Sequence, residues 1–351
     1  MKKKLSNLVF ILLGFIMVGT AVYTIADFPF FTRQAYATPS VDTYIYLPLI
    51  IKPDNTVIQP PEGMIYIDHN SVALFDQIPD QYIVAAENID MFFMDRSVGG
   101  NIDQGLDCLS SPTDEVAPNH CVRWEHGGTP SYSVDPIAEL NWNRPGGYNR
   151  TNWDFEFWPS GCSEWYDKVD CFMARMDQII NQYDVVSFQF SYLSVDDSST
   201  IADTPGGFFS DNPTRSDVYD LEAYEAAHPG KVFIYWTTSL SRGIGTDVAT
   251  TFNDQMRLYA INNNKVLFDV ADILSRQPDG TPCYDNRDGV AYSFGSNSEN
   301  HPNDGQDIPA ICPHYTTEVD GGHLGTVSAG KIRVAKAYWV LMARLAGWDG
   351  N

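Results

Sequence analysis

An acid and an imidazole stand three residues apart in Asp320-Gly321-Gly322-His323, just ahead of the last amphipathic stretch of the chain. A serine nucleophile needs those two partners: a base to take its proton as it attacks a carbonyl, and a carboxylate to fix the imidazole tautomer and stabilise its cation. The candidate serine is Ser97, where the apolar run Met91-Phe92-Phe93-Met94 gives way to Asp95-Arg96-Ser97-Val98-Gly99-Gly100. Glycines beside both groups let a substrate approach the backbone closely. The chemistry implied is acyl transfer through a covalent intermediate, with Ser97 as nucleophile, His323 as general base and Asp320 as the acid that orients it.

For these groups to meet, the chain must bring two stretches more than 200 residues apart to one edge. The elements read from the sequence permit it. Met91 to Met94, Asp184 to Phe190, Lys231 to Thr237 and Lys265 to Ala271 read as strands; Glu164 to Gln182, Asp217 to His228 and Val248 to Asn262 read as the helices between them. Such alternation predicts an α/β fold, a three-layer α/β/α sandwich around a mainly parallel sheet. The last helix carries Ser328 as a cap, an apolar stripe of Ile332, Ala335, Trp339, Met342 and Leu345, and Gly347 as a stop. Gly/Pro/Asn/Asp-rich stretches, roughly Asp103 to Ser160, Ser194 to Arg215 and Gln277 to Val319, follow strand ends, the ligand-binding edge of an open parallel sheet.

Ser97 after the first of these strands and Asp320-x-x-His323 before the last helix resemble the first and last blocks of the SGNH/GDSL hydrolase superfamily. The resemblance spans roughly Met64 to Trp348, and Val319-Asp320-Gly321-Gly322-His323-Leu324-Gly325 is its most specific part. It implies the α/β/α sandwich, the same three roles for Ser97, His323 and Asp320, an ester as substrate and no cofactor. Two blocks depart from the pattern. The Gly-Asp-Ser of the first block reads Asp95-Arg96-Ser97, and the Gly-x-Asn-Asp of the third reads Gln189-Phe190-Ser191-Tyr192, without the amide that holds the oxyanion. The expected oxyanion hole is then the N–H groups of Ser97 and Gly147, the latter standing for the second-block glycine, with Asn149, Gln189 or Ser191 as a substitute donor. With one donor lost, a catalytically silent SGNH-fold module that only binds glycan is the alternative.

Other groups carry competing readings. Asp154 and Glu156, among Trp153, Phe155, Phe157 and Trp158, have the composition of a glycosidase cleft, in which two carboxylates flank the scissile bond. The same alternation also describes a half-buried strand. Trp124, Trp142, Trp153, Trp158 and Trp165 are where sugar rings would stack if the ester is on a polysaccharide, and core filling is the competing reading. Asp269 and Asp272 read as caps of the turn after a strand. His120, His126, His301 and His314 form no tight ligand pair, and Asp196, Asp197, Asp203 and Asp211 lack the spacing of a calcium loop, so no metal is expected.

Length and composition bound the rest. The 351 residues, 44% apolar and 13% aromatic, suffice for one large core, and a net charge of −23 argues against nucleic acid as a partner. Lys2, Lys3 and Lys4 precede a nearly continuous apolar stretch, Leu5 to Ala26, an export signal. Ala35-Tyr36-Ala37 fits a cleavage site, so residues 1–37 read as a signal peptide or an uncleaved anchor, 38–62 as a Pro-rich linker and 63–351 as the catalytic domain. A secreted or cell-surface location follows, and six cysteines there predict disulfides: Cys108 with Cys121, Cys162 with Cys171, Cys283 with Cys312.

Overall fold

Strands buried on both faces must be apolar throughout, and the chain meets this demand repeatedly. In the computed structural model, β1 (Tyr66–Ile67), β2 (Met91–Asp95), β3 (Trp153–Phe157), β4 (Val185–Phe188), β5 (Val232–Trp236) and β6 (Val266–Phe268) form one parallel sheet in the order β1-β6-β5-β4-β2-β3. The structure describes residues 60–350 apart from 112–117, 119–120, 122–146, 191–194, 196–213, 241–246, 286–290, 295–296, 301–307, 313–314, 317–321 and 325–327. The leader, and the linker up to residue 59, thus lie outside the described residues, and residues 51–351 group as one unit. Among the described residues, no helix is long and apolar enough to cross a membrane.

Alternation along β2 divides its side chains between two cores. Met91 and Phe93 join the layer built on α1 (Asp80–Glu87), α2 (Ser97–Ser110), α6 (Val270–Leu274) and α7 (Ser328–Leu345). Phe92 and Met94 join the opposite layer of α3 (Trp165–Ile179), α4 (Val218–Ala227) and α5 (Asp247–Asn262). The molecule is therefore the three-layer α/β/α sandwich expected. Capping boxes start α3, through Glu164 and Asp167, and α4, through Asp217 and Asp220. Outside the main sheet, β7 (Tyr284–Asp285) pairs with β10 (Ile308–Pro309), and β8 (Ala291–Phe294) with β9 (Asn297–Asn300).

Three expectations need correction. The apolar stripe predicted for α7 is instead burial almost all round, from Ile332 to Ala343, because α2, α1, α6 and the Ser71–Gln77 turn all pack against it. The approach of α2 depends on Gly105: a Cβ there would stand 2.2 Å from the Lys331 carbonyl oxygen. Moreover, Asp103 to Ser110 is not the start of a loop but the second half of α2, where glycines masked a helical pattern. Lys265 to Ala271 likewise is strand only to Phe268, since Asp269 caps α6 by accepting the Asp272 N–H.

All three disulfides pair as expected, Cys108–Cys121, Cys162–Cys171 and Cys283–Cys312. The chain leaves α7 at Gly347, whose positive φ of 99° lets Trp348 N–H reach back to the Ala343 carbonyl.

Candidate functional site

In this strand order the chain passes from β2 outward to β3 and then back across to β4, so a topological switch point lies at the carboxyl end of β2. Ser97 sits there. It opens α2, exposed, with Arg96 in a non-helical conformation as the turn before it. Ser97 Oγ lies 2.6 Å from His323 Nε2. That is hydrogen-bond reach for a nucleophile and its base.

The short loop carrying His323 is held on three sides. Leu324 N–H donates to Asn101 Oδ1 on α2 at 2.9 Å, the Thr316 hydroxyl donates to the His323 carbonyl at 2.5 Å, and the Ser239 hydroxyl beyond β5 donates to the Gly322 carbonyl at 3.4 Å. These three residues were not legible as site residues. Asn101 alone left a trace, standing four residues after Ser97 and so one turn along the same helix face. Asp320, the expected orienting acid, lies outside the described residues, as does Ser191.

Of the other oxyanion candidates, the fold separates two from the nucleophile. Tyr148 N–H, beside Gly147, donates to the Leu109 carbonyl near the far end of α2, a 14-residue helix about 20 Å long. Asn149 takes part in the turn before β3: its side-chain oxygen accepts the Thr151 N–H at 3.0 Å, and its own N–H donates to Glu87. Both belong to the amino edge of the sheet, whereas Ser97 is at the carboxyl edge. The glycine at the carboxyl end of β3 is Gly161, in the turn after Trp158, and the Arg96 guanidinium reaches the Pro159 carbonyl of that turn at 3.5 Å.

Gln189 is at the correct edge, just after β4, but its side chain is buried and its amide Nε2 donates to the Thr237 carbonyl at 3.1 Å. A further donor set is intrinsic to α2. The first-turn N–H groups of Ser97 and Val98 have no intrahelical acceptor by geometry, and they carry the positive end of the helix dipole. An anion forming on a carbonyl attacked by Ser97 would meet that field.

Asp154 and Glu156 are both engaged by neighbouring side chains. Asp154 accepts a hydrogen bond from Tyr183 at 2.6 Å, and Glu156 takes both Arg175 Nε, at 2.8 Å, and Nη2. Trp153, Trp158 and Trp165 are core residues, 3%, 1% and 4% exposed, so none offers a face to a sugar; Trp124 and Trp142 lie outside the described residues. Asp269 ties strands and helices together: it accepts from Tyr66, Thr237 and, with both oxygens, Arg257.

Asp68, His69 and Asp272 are near enough for a metal, but their atoms are already engaged. Asp68 caps the turn at Asn70 and Ser71, while Asp272 accepts His69 Nδ1 at 2.5 Å and Arg276 at 2.9 Å. Burial works against the Asp272 charge, yet the His69 and Arg276 bonds hold its carboxyl well below the usual carboxylate range. Four strand spacings separate β1 from β2, so this pair stands about 19 Å from the nucleophile strand. The histidines and aspartates set aside as loop residues, His120, His126, His301, His314, Asp196, Asp197, Asp203 and Asp211, lie outside the described residues. Neither a family model nor a curated protein nor a solved structure matches this chain.

Proposed function

We propose that this chain is an extracytoplasmic serine esterase of SGNH type, hydrolysing an ester through an acyl-enzyme intermediate. The observation that carries the reading is the 2.6 Å contact between Ser97 Oγ and His323 Nε2, made by residues 226 apart in sequence at the switch point of a parallel sheet. Ser97 Oγ attacks the ester carbonyl as its proton passes to His323 Nε2. The oxyanion is stabilised by the first-turn N–H groups of α2, and His323 then gives the proton to the departing alcohol. Water, deprotonated by the same nitrogen, releases the acid and restores the hydroxyl.

In this reading Asp320 orients the His323 ring, as the SGNH resemblance implies. Export of the chain, inferred from Lys2 to Ala26, accords with its three disulfides. The substrate is an ester on a small molecule or a polysaccharide, and neither nucleic acid nor a cofactor takes part.

A catalytically silent glycan-binding module is the second reading, favoured by the commitment of the Gln189 amide to Thr237. Hydrolysis of p-nitrophenyl acetate separates the two. The esterase reading expects turnover that Ser97→Ala removes; turnover that survives this change, or none in the wild-type protein with any short-chain ester, overturns it.

A further inference from the structure

Directly beneath the nucleophile turn lies a carboxyl group that catalysis as described does not use. Asp95, the last residue of β2, is 1% exposed. Its Oδ2 accepts the Gly99 N–H at 2.6 Å, and α2 rests so closely on it that a Cβ at residue 99 would stand 2.6 Å from the Asp95 Cβ. Its Oδ1 is buried and has no hydrogen-bond partner among the described residues.

Next to it is a second acceptor in the same condition. Gln189 N–H donates to the Met94 carbonyl at 3.1 Å, continuing the β2–β4 register by one step and setting Gln189 beside Asp95. Gln189 is also 1% exposed; its Nε2 serves Thr237, and its Oε1 is buried without a partner among the described residues. Two bare acceptors on register-paired residues of a dry interior would each forfeit a hydrogen bond. One proton on the carboxyl turns that loss into a bond.

We infer that Asp95 is a positioning residue held as a neutral carboxylic acid, donating its Oδ1 proton to Gln189 Oε1 while Oδ2 accepts from Gly99. One side chain thereby joins the nucleophile strand, its neighbour β4 and the first turn of α2. Burial pushes the Asp95 carboxyl up to about 7, opposed by the backbone hydrogen bonds it accepts and by the charges of Lys168 on α3 and Arg96 in the turn. The Lys168 ammonium, itself brought down to about 8 by burial, spends its bonds on the Ser163 and Glu164 carbonyls and makes no ion pair with Asp95. Phe155 of β3 closes another side without charge, and His323 is the titratable group beyond, at Ser97.

The catalytic consequence rests on the esterase reading; the proton does not. Infrared spectra of the wild-type protein, recorded from about pH 5 to about pH 9, should show a protonated-carboxyl band that titrates near neutrality and is missing from Asp95→Asn. With ester substrate, Asp95→Leu, which removes both bonds, should lose about 100-fold in kcat with little change in KM, and Asp95→Asn, able to donate to Gln189 and accept from Gly99, should restore most of it. If Asp95→Leu does not fold, Gln189→Leu is the substitute, expected to shift the same band. Absence of the band at low pH, or no rescue by asparagine where the leucine variant is impaired, overturns the inference. A band present in a protein inactive on every ester would sustain the neutral acid and sink the esterase reading alone.

Discussion

Asn101 Oδ1 accepts the Leu324 N–H at 2.9 Å, so the helix that begins with Ser97 also holds the residue next to His323. Ser97 and His323 are thereby registered against one another by a single turn of α2. Asn101→Leu should therefore lower kcat for ester hydrolysis by about 10- to 100-fold while KM changes little, since misplacing a base by about 1 Å costs that much. Asn101→Asp, which keeps the acceptor, should recover part of it. Steady-state kinetics of both variants check this, and equal losses in the two would show that the side-chain oxygen is not what matters.

Ser97→Ala and His323→Ala should each reduce kcat by about 10⁴-fold or more, and the double variant should lose hardly more than either single one, because the two act as a unit. Ser97 is exposed, so the thermal unfolding midpoint of Ser97→Ala should stay within about 2 °C of wild type. Additive kinetic losses would speak against a shared proton transfer.

Arg257 and Asp269 form a two-pronged ion pair in which the carboxylate is fully buried. Arg257→Met should destabilise the fold by about 3 kcal/mol, measured by denaturant titration, because it leaves a buried carboxylate without its counter-charge. Asp269→Asn with Arg257→Met should recover stability relative to the single change.

Cys283–Cys312 closes a loop of 29 residues, and Cys312 accepts a backbone hydrogen bond from Tyr315, next to the Thr316 that holds the His323 carbonyl. Reduction should cost about 3 kcal/mol in stability and lower turnover as well. A reduced protein with unchanged kcat would uncouple this clasp from the site.

The Asp272 carboxyl is depressed by His69 and Arg276, so it contributes stability that is present above the ordinary carboxylate range, about pH 4, and is lost as pH falls below it. Asp272→Asn should thus unfold at a lower temperature than wild type at pH 7, with the gap closing on acidification. A gap independent of pH would place the effect in packing.

What could be read from residues alone was whatever depends on local pattern. The strands of β2, β4 and β5 announced themselves as short apolar runs, and the disulfides followed from loop composition between neighbouring cysteines. Glycine hid α2: Gly99, Gly100 and Gly105 lower helix propensity, yet Gly99 and Gly105 stand where a methyl group would collide with Asp95, Phe155 or the Lys331 carbonyl. The approach of Ser97 to His323 was legible because each stands in a recognisable local pattern, whereas Asn101, Thr316 and Ser239 bind backbone atoms of residues 322–324, partners that leave no signature in the sequence. Gly147 lies before β3, against the Ser110 carbonyl at the far end of α2, a long-range placement that no local pattern announces.

The burial of α7 on every side has a consequence for how the Ser97–His323 contact responds to mutation. A central helix packed closely on α2 cannot shift without moving the serine that opens α2. Enlarging residues along Ile332 to Ala343 would act on the reaction centre from behind, and mutations far from any substrate would register first as lost turnover.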